Sequence, residues 1–462
     1  MAETNRALVL IATSTGAIIT PLLSTMLILA MPEIGELFTV SARDLGWLST
    51  AYILANAVCL VPGAWFVDKL GYKKSFITGC VICAIACTLA VFSPSYPFII
   101  LARVITGAGI SLCMITSIAI LTRIFPKNKR GFVIGINTTM VYAGLSIGPV
   151  LGGVLTEFCG WQSLFICVPP LVLAAALLMH FFLKEEFTEP VQKFDKLGTI
   201  LYAVALIALM YGLSTITDTG SVFFVIAGLL LSAVFVFYEL RVKTPILHIR
   251  LFFENKRFAR SSYAALLNYA AAYSVTYMVS LYLQSVGALS ALEAGLVMLF
   301  MPVVQVIATP IAGKLADRFD PKYLVTLGMV LTIVGLLTLA ALGFFGTDFI
   351  TYIAAAQFTI GLGAALFSAP NTTAIMSSVP KHEYSTASGV VSVVRQIGML
   401  FSMAICMASI SLIVGGTKLL GPAMHAQFIL AMQIAMLVSA GLAVLGVFFS
   451  WFRGALPEGV EE

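Results

Sequence analysis

The chain has 462 residues, 60% of them hydrophobic and 10% charged, with a formal net charge of +5. Soluble domains carry about 25% charged residues. With a mean hydropathy of +1.03 this reads as a polytopic, all-α membrane protein, and the net charge does not suggest a nucleic-acid partner. The eight cysteines lie mostly in apolar runs and imply no disulfide framework. Cys80, Cys83 and Cys87 have helical spacing but no His or acidic neighbours, which reads as packing, not as a metal site.

A spanning helix needs about 20 apolar residues. Cutting at charges and at Pro/Gly clusters predicts fourteen, at 7–30, 45–67, 75–93, 97–121, 132–155, 162–183, 196–214, 221–239, 260–284, 291–312, 322–344, 349–376, 385–411 and 428–452. The first run follows Arg6, contains Pro21 and lacks a cleavage site, so it reads as a span and not a signal peptide. Loops after even-numbered segments are basic: Lys69, Lys73 and Lys74, then Arg123, Lys127, Lys129 and Arg130, then Lys184 and Lys193, then Arg241 to Arg260. The opposite loops hold only Arg43 and Lys418 as cations. The positive-inside rule then places both termini in the cytoplasm.

A faint repeat divides the chain. Ala64 to Lys74, after segment 2, and Gly313 to Lys322, after segment 10, both place Asp and then Lys or Arg at a cytoplasmic helix end. The expected organisation is a six-helix half over 1–184, a linker with an inserted helix pair over 185–250, and a second six-helix half over 251–462.

Within segment 5, Gly144, Gly148 and Gly152 recur every four residues and so share one helix face, with Gly135 upstream and Gly153 beside them. Such a face suits close helix packing in a membrane. Pro149 removes one backbone bond and invites a bend. The whole pattern, G-x8-G-x3-G-P-x2-G-G, resembles the antiporter motif of the drug:proton antiporters of the major facilitator superfamily. Other stretches resemble the 14-helix branch of that family: Trp47 to Tyr52, Asp68-Lys69-Leu70-Gly71, Leu101 to Gly109 around Arg103, Glu239 to Phe258, and Ser385 to Gly398. In the second of these Ala64 replaces the family's first glycine and Lys69 its arginine.

The resemblance implies a proton-coupled transporter that exports small, mostly hydrophobic compounds by alternating access. Its partners would be substrate, protons and the bilayer, with no cofactor and a monomeric state. Arg103, inside segment 4, would act in proton transfer or coupling, unless it is a structural arginine bonded to backbone carbonyls. Asp68, with Gly63, Lys69, Gly71, Lys73 and Lys74, would form a cytoplasmic gate by capping a neighbouring helix, unless the loop is only a topology signal. Gly313, Asp317 and Arg318 repeat that motif in the second half. Arg395 and Gln396 in segment 13 are candidates for cavity lining. So are the polar residues Asn137, Asn268, Gln305, Gln357 and Asn371 within other spans, some of which must simply bond between helices.

No phosphate-binding loop or zinc-protease motif is present in the sequence. A metabolite symporter or exporter is the alternative reading; a membrane enzyme or sensor is a weaker one, because no acid, nucleophile or metal cluster is visible within the spans. One departure from the family matters. Where relatives carry an aspartate nine residues before the proline of the segment 1 ending, this chain has Leu23, and Ile28 replaces the asparagine five residues later. The nearest acid is Glu33, beyond Pro32. Neutral or weakly anionic substrates are therefore expected, with protons handled near Asp68 or Glu33.

Overall fold

Every regular element among the described residues is helical, as a lipid environment requires when backbone groups must be satisfied within each segment. The structure, a computed structural model, describes residues 5–188, 193–316, 318–342, 348–379, 384–415 and 422–454; side chains at 127–132, 134, 135, 138, 139, 142, 384–386, 388 and 422 are not described. Asp317 and Lys418 therefore lie outside the described residues, as do the surroundings of Gly135, Lys127, Lys129, Arg130, Ser385 and Thr386.

The chain forms two compact units. Unit 1 comprises Met1–Val40, Asp44–Thr199 and Leu289–Gly295; unit 2 comprises Ser41–Arg43, Ile200–Ala288 and Leu296–Glu462. The helices up to the linker are α1 (Arg6–Phe38), α2 (Ala42–Leu45), α3 (Trp47–Leu70), α4 (Tyr72–Val91), α5 (Tyr96–Ile124), α6 (Lys127–Cys159), α7 (Ser163–Ile166) and α8 (Val168–Phe182). Then come α9 (Lys196–Ser214), α10 (Ser221–Glu239), α11 (Arg250–Glu254), α12 (Lys256–Ala272) and α13 (Val275–Leu281), which runs into a π-helical turn at Tyr282–Val286. The chain continues through α14 (Ala291–Met298), α15 (Phe300–Ala316), α16 (Pro321–Ala340), α17 (Phe349–Met376), α18 (Tyr384–Ile413) and α19 (His425–Trp451).

Twelve helices among the described residues are long and apolar enough to cross a membrane. Two expected segments do not join them. α6 spans Lys127–Cys159, and its uninterrupted stretch of described apolar residues is Ala143–Cys159. The run expected at 260–284 is interrupted after α12: the Ser274 N–H, which begins α13, donates to Ser402 Oγ of α18 at 2.9 Å, and the two serine hydroxyls lie 3.0 Å apart. The side chain of α18 satisfies the backbone group that the interrupted helix leaves free.

Helix packing rests on small residues, as expected where lipid removes the hydrophobic drive for helix association. In unit 1, α4 and α5 meet at Gly79 and Gly109: a methyl group at Gly79 would come 2.6 Å from Gly109 O, and one at Gly109 would come 2.8 Å from Gly79 O. In unit 2, α16 and α17 meet at Gly328 and Gly363 in the same reciprocal way, at 2.6 and 2.5 Å. The two crossings match in their use of one glycine on each helix. Helices α9 and α10 pack through Gly212 and Gly228, each 2.6 Å from a partner backbone nitrogen by the same measure. Their other faces are bare, with Phe223 70% and Leu230 62% exposed, a surface that suits acyl chains.

Candidate functional site

Arg103 lies seven residues into α5 and is only 1% exposed. Its Nε donates to Leu48 O of α3 at 3.0 Å, and its guanidinium stacks on the Tyr52 ring at 4.3 Å. Tyr52 Oη in turn donates to Thr20 O of α1 at 3.1 Å, so one buried cation ties three helices together. Close approach of α5 to α3 makes this reach possible. Gly107 faces Tyr52 O and Asn56 N with no room for a methyl group. A desolvated cation–π contact is worth about 2 kcal/mol, comparable to the roughly 2.5–3.5 kcal/mol cost of an arginine at a helix centre. The arginine's bond to a backbone carbonyl is the structural role that the sequence left open. Asn56, buried at 1% on the same seam, donates to Met114 Sδ at 3.4 Å. It was not singled out from sequence, although an asparagine in an apolar run was the available signal.

The loop between α3 and α4 turns at Gly71, whose φ of 98° is a conformation that glycine alone takes readily. A side chain there would also collide with the Glu186 carboxylate. Glu186 Oε1 accepts from Lys73 N at 2.8 Å and Oε2 from Lys74 N at 3.3 Å, which makes it the anionic cap of α4. Lys73 Nζ donates to Leu183 O at 2.6 Å, Tyr72 N donates to Phe187 O at 3.0 Å, and Arg123 stacks on Tyr72 at 4.5 Å. The segment after α8 is thus zipped across this loop. Asp68 accepts from Tyr72 Oη at 2.8 Å, so the capping expected of Asp68 is performed by Glu186. The chain returning from α8 delivers a carboxylate to the helix end, a placement that spacing along α3 does not reveal. Lys69 lies over Trp65 at 5.0 Å, and Gly63 lets α3 approach Ile115 of α5.

Gly144, Gly148 and Gly152 all face α1. Methyl groups there would strike Ile18 O and Pro21, then Thr25 Oγ1, then Met26 O. Gly153 and Pro149 turn to the start of α14, where Gly153 faces Ala291 O and Gly295 faces Pro149 O. Glu157 Oε2 accepts from Leu292 N at 3.0 Å and caps that helix, whose Ser290 and Glu293 cap each other's N–H groups. Asn137 Nδ2 donates to Thr13 O at 3.3 Å and adds a polar tie between α6 and α1. At the far end of α1, exposed Glu33 takes the Trp161 backbone N–H.

The remaining expected residues lie in unit 2 and are dispersed over several helices. Arg395 is half-buried and Gln396 is 6% exposed on α18. Asn268 on α12 and Gln357 on α17 are 4% and 2% exposed, with Asn268 Oδ1 and Gln357 Nε2 lacking hydrogen-bond partners. Gln305 on α15 is 8% exposed. Asn371 Nδ2 donates to Ser261 O at 3.2 Å, so this side chain carries an interhelical bond. Gly313 meets nothing within 4 Å, and Arg318 is exposed. No cluster of His, Cys, Asp and Glu able to hold a metal exists among the described residues.

Comparison with known proteins places these features in one family. The model of the Major Facilitator Superfamily matches residues 13–403. The riboflavin transporter RibZ of Clostridioides difficile is 27% identical, over 86% of each chain. The methylenomycin A resistance protein of Bacillus subtilis is 29% identical over 86% of each. The multidrug resistance protein Stp of Mycobacterium tuberculosis is 28% identical over 86% of this chain and 74% of its own. Among solved structures, a bacterial homolog of the human lysosomal transporter Spinster covers 98% of both chains with a TM-score of 0.72 at 18% identity. The D-xylose-proton symporter gives a TM-score of 0.70 at 14% identity, over 98% of this chain. With a family match that runs from the first helix into α18, over a helical fold, this chain belongs to the Major Facilitator Superfamily of membrane transporters.

Proposed function

We propose that the protein is a proton-coupled exporter of small hydrophobic compounds, working by alternating access, with fourteen membrane crossings and both termini in the cytoplasm. The glycine face of α6 against α1 carries this reading. It is a seam in which one helix can slide or rock on another without side chains interlocking. The resistance proteins among the relatives point the same way. Substrates are neutral or weakly anionic, and protons are handled at the helix ends near Asp68 or Glu33. The test is substrate flux in proteoliposomes under an imposed proton gradient, paired with resistance profiling in a pump-deleted host. Gradient-driven export of neutral lipophilic drugs supports the reading. Flux indifferent to the gradient removes proton coupling, and protection against dicationic biocides alone removes the substrate assignment.

A second reading, transport of one metabolite, is favoured by the relative named as a riboflavin transporter. Saturable flux of a single neutral metabolite, with no drug protection, would select it.

A further inference from the structure

At the end of unit 2 where α12 begins and α19 stops, two arginines are buried together. Arg453, two residues past α19, is 1% exposed, and Arg257, in the first turn of α12, is 8% exposed. Arg453 Nε donates to Ser450 O at 3.1 Å, and its Nη2 reaches Ser450 Oγ at 3.0 Å and Asn371 Oδ1 at 3.4 Å. Arg257 Nη1 makes a long contact to Gly454 O at 3.5 Å. Arg453 Nη1 and Arg257 Nε are buried with no acceptor among the described residues. Arg260 adds a third guanidinium, bonded to Phe452 O.

Among the described residues the charge is not balanced. Asp320 is the acid whose field reaches both buried arginines, but it is exposed, and one of its oxygens already caps α16 through Lys322 N at 2.8 Å. Burial and the neighbouring Arg257 charge push the Arg453 guanidinium down to about 10. Buried charge without a counter-charge is strongly unfavourable, and guanidinium groups match phosphate oxygens in geometry as well as charge.

Aromatic and basic residues also stand beside the cluster. Lys322 sits 4.2 Å over the Trp451 ring, and Tyr323 packs edge-on against Trp451 at 6.0 Å. Aromatic and basic residues in this combination mark the lipid headgroup level, and basic pockets between helices are known to bind lipid head groups. Phe452, 51% exposed, and exposed Gly454 flank Arg453 along the chain.

We propose that Arg257 and Arg453 form a binding site for a phosphate group, supplied as the phosphodiester of an anionic phospholipid or as a free phosphate ion. The test uses the full-length protein in a neutral detergent, with thermal unfolding as the readout. Dioctanoyl phosphatidylglycerol, dioctanoyl phosphatidylcholine, sodium phosphate and sodium chloride at matched ionic strength are the probes. Phosphatidylglycerol raises Tm by about 2 °C or more over phosphatidylcholine, and Arg453→Gln and Arg257→Gln each abolish the rise. A rise with phosphatidylglycerol alone identifies the lipid as the source; a rise with phosphate over chloride identifies the free ion. The comparison among probes on the unaltered protein stands even where a variant fails to fold. No differential rise with either phosphate source overturns the proposal. So does an equal loss in Lys314→Gln, an exposed cation on α15, because surface charge would then suffice.

Discussion

Replacing Gly152 with alanine tests the α1–α6 seam where it has least freedom to yield. The added methyl group would strike Met26 O and lie 2.8 Å from Met26 Cα and 3.0 Å from Met26 C, all backbone atoms of α1. Carbon atoms in contact sit about 3.5–4.0 Å apart, so the two helices must part by roughly 1 Å. Overpacking of this kind costs about 1–3 kcal/mol. If exchange passes through the closed seam, its rate falls about 5- to 150-fold. At Gly148 the clash is with Thr25 Oγ1, a side-chain atom bonded to Pro21 O at 3.0 Å, which can rotate away. The cost there is about one hydrogen bond, ~1 kcal/mol, and Gly148→Ala should slow exchange only several-fold. Gly148→Leu should insert but stop exchange. Gly441 meets nothing within 4 Å, and Gly441→Ala should leave transport unchanged. The assay is proteoliposome exchange, normalised to inserted protein and paired with equilibrium substrate binding. Wild-type exchange by Gly152→Ala, or a reversed order of the Gly152 and Gly148 variants, would refute the seam as the moving element.

Three further outcomes follow from the geometry. Arg103→Ala should abolish transport and Arg103→Lys should restore little, because an ammonium cannot both stack flat on Tyr52 and donate to Leu48 O; full activity of the lysine variant contradicts this. Glu186→Gln should destabilise the α4 end by about 1 kcal/mol and slow turnover with substrate binding retained, while Asp68→Asn, which keeps an acceptor for Tyr72 Oη, should have the smaller effect on stability. Reporter fusions at Thr188 and Lys243 should give cytoplasmic signals and one at Asp218 an external signal; an external signal at Thr188 removes the inserted-pair topology.

Some of this structure is legible because membrane helices announce themselves one at a time. The segments expected at 349–376 and 221–239 are α17 and α10 to the residue, since charge or Pro/Gly punctuation bounds each run. The glycine face of α6 was equally readable, because helical periodicity fixes which residues share a side whatever the partner. The partner itself was not readable: nothing local says that Gly148 meets Thr25 or that Gly153 meets Ala291. The same limit hid Glu186, which acts on a helix end more than a hundred residues earlier, and the interruption at Ser274, which depends on a hydroxyl from α18. Arg257 counted among the basic loop residues until the fold buried it, and nothing in the sequence marks its pairing with buried Arg453.

The distribution of charge sets the chemistry proposed for the substrate. α1 presents Leu23 and Ile28, 1% and 3% exposed, at the positions where an acid and an amide would be expected from the family resemblance. Its carboxylate, Glu33, lies instead at the exposed helix end beside Trp161. The arginines within predicted spans, Arg103 and Arg395, are both cationic determinants. A dicationic compound entering such segments would lose its hydration without gaining an anion, and that desolvation is the dominant cost. A neutral aromatic or amphipathic compound loses far less. It can use the polar but uncharged groups that remain, such as the partnerless amide atoms of Asn268 and Gln357. On the proposed function, proton coupling is separate from substrate recognition: Asp68 faces Tyr72 and Glu33 faces a backbone N–H at helix ends, where we propose that protons act on the elements that open and close and not on the bound compound.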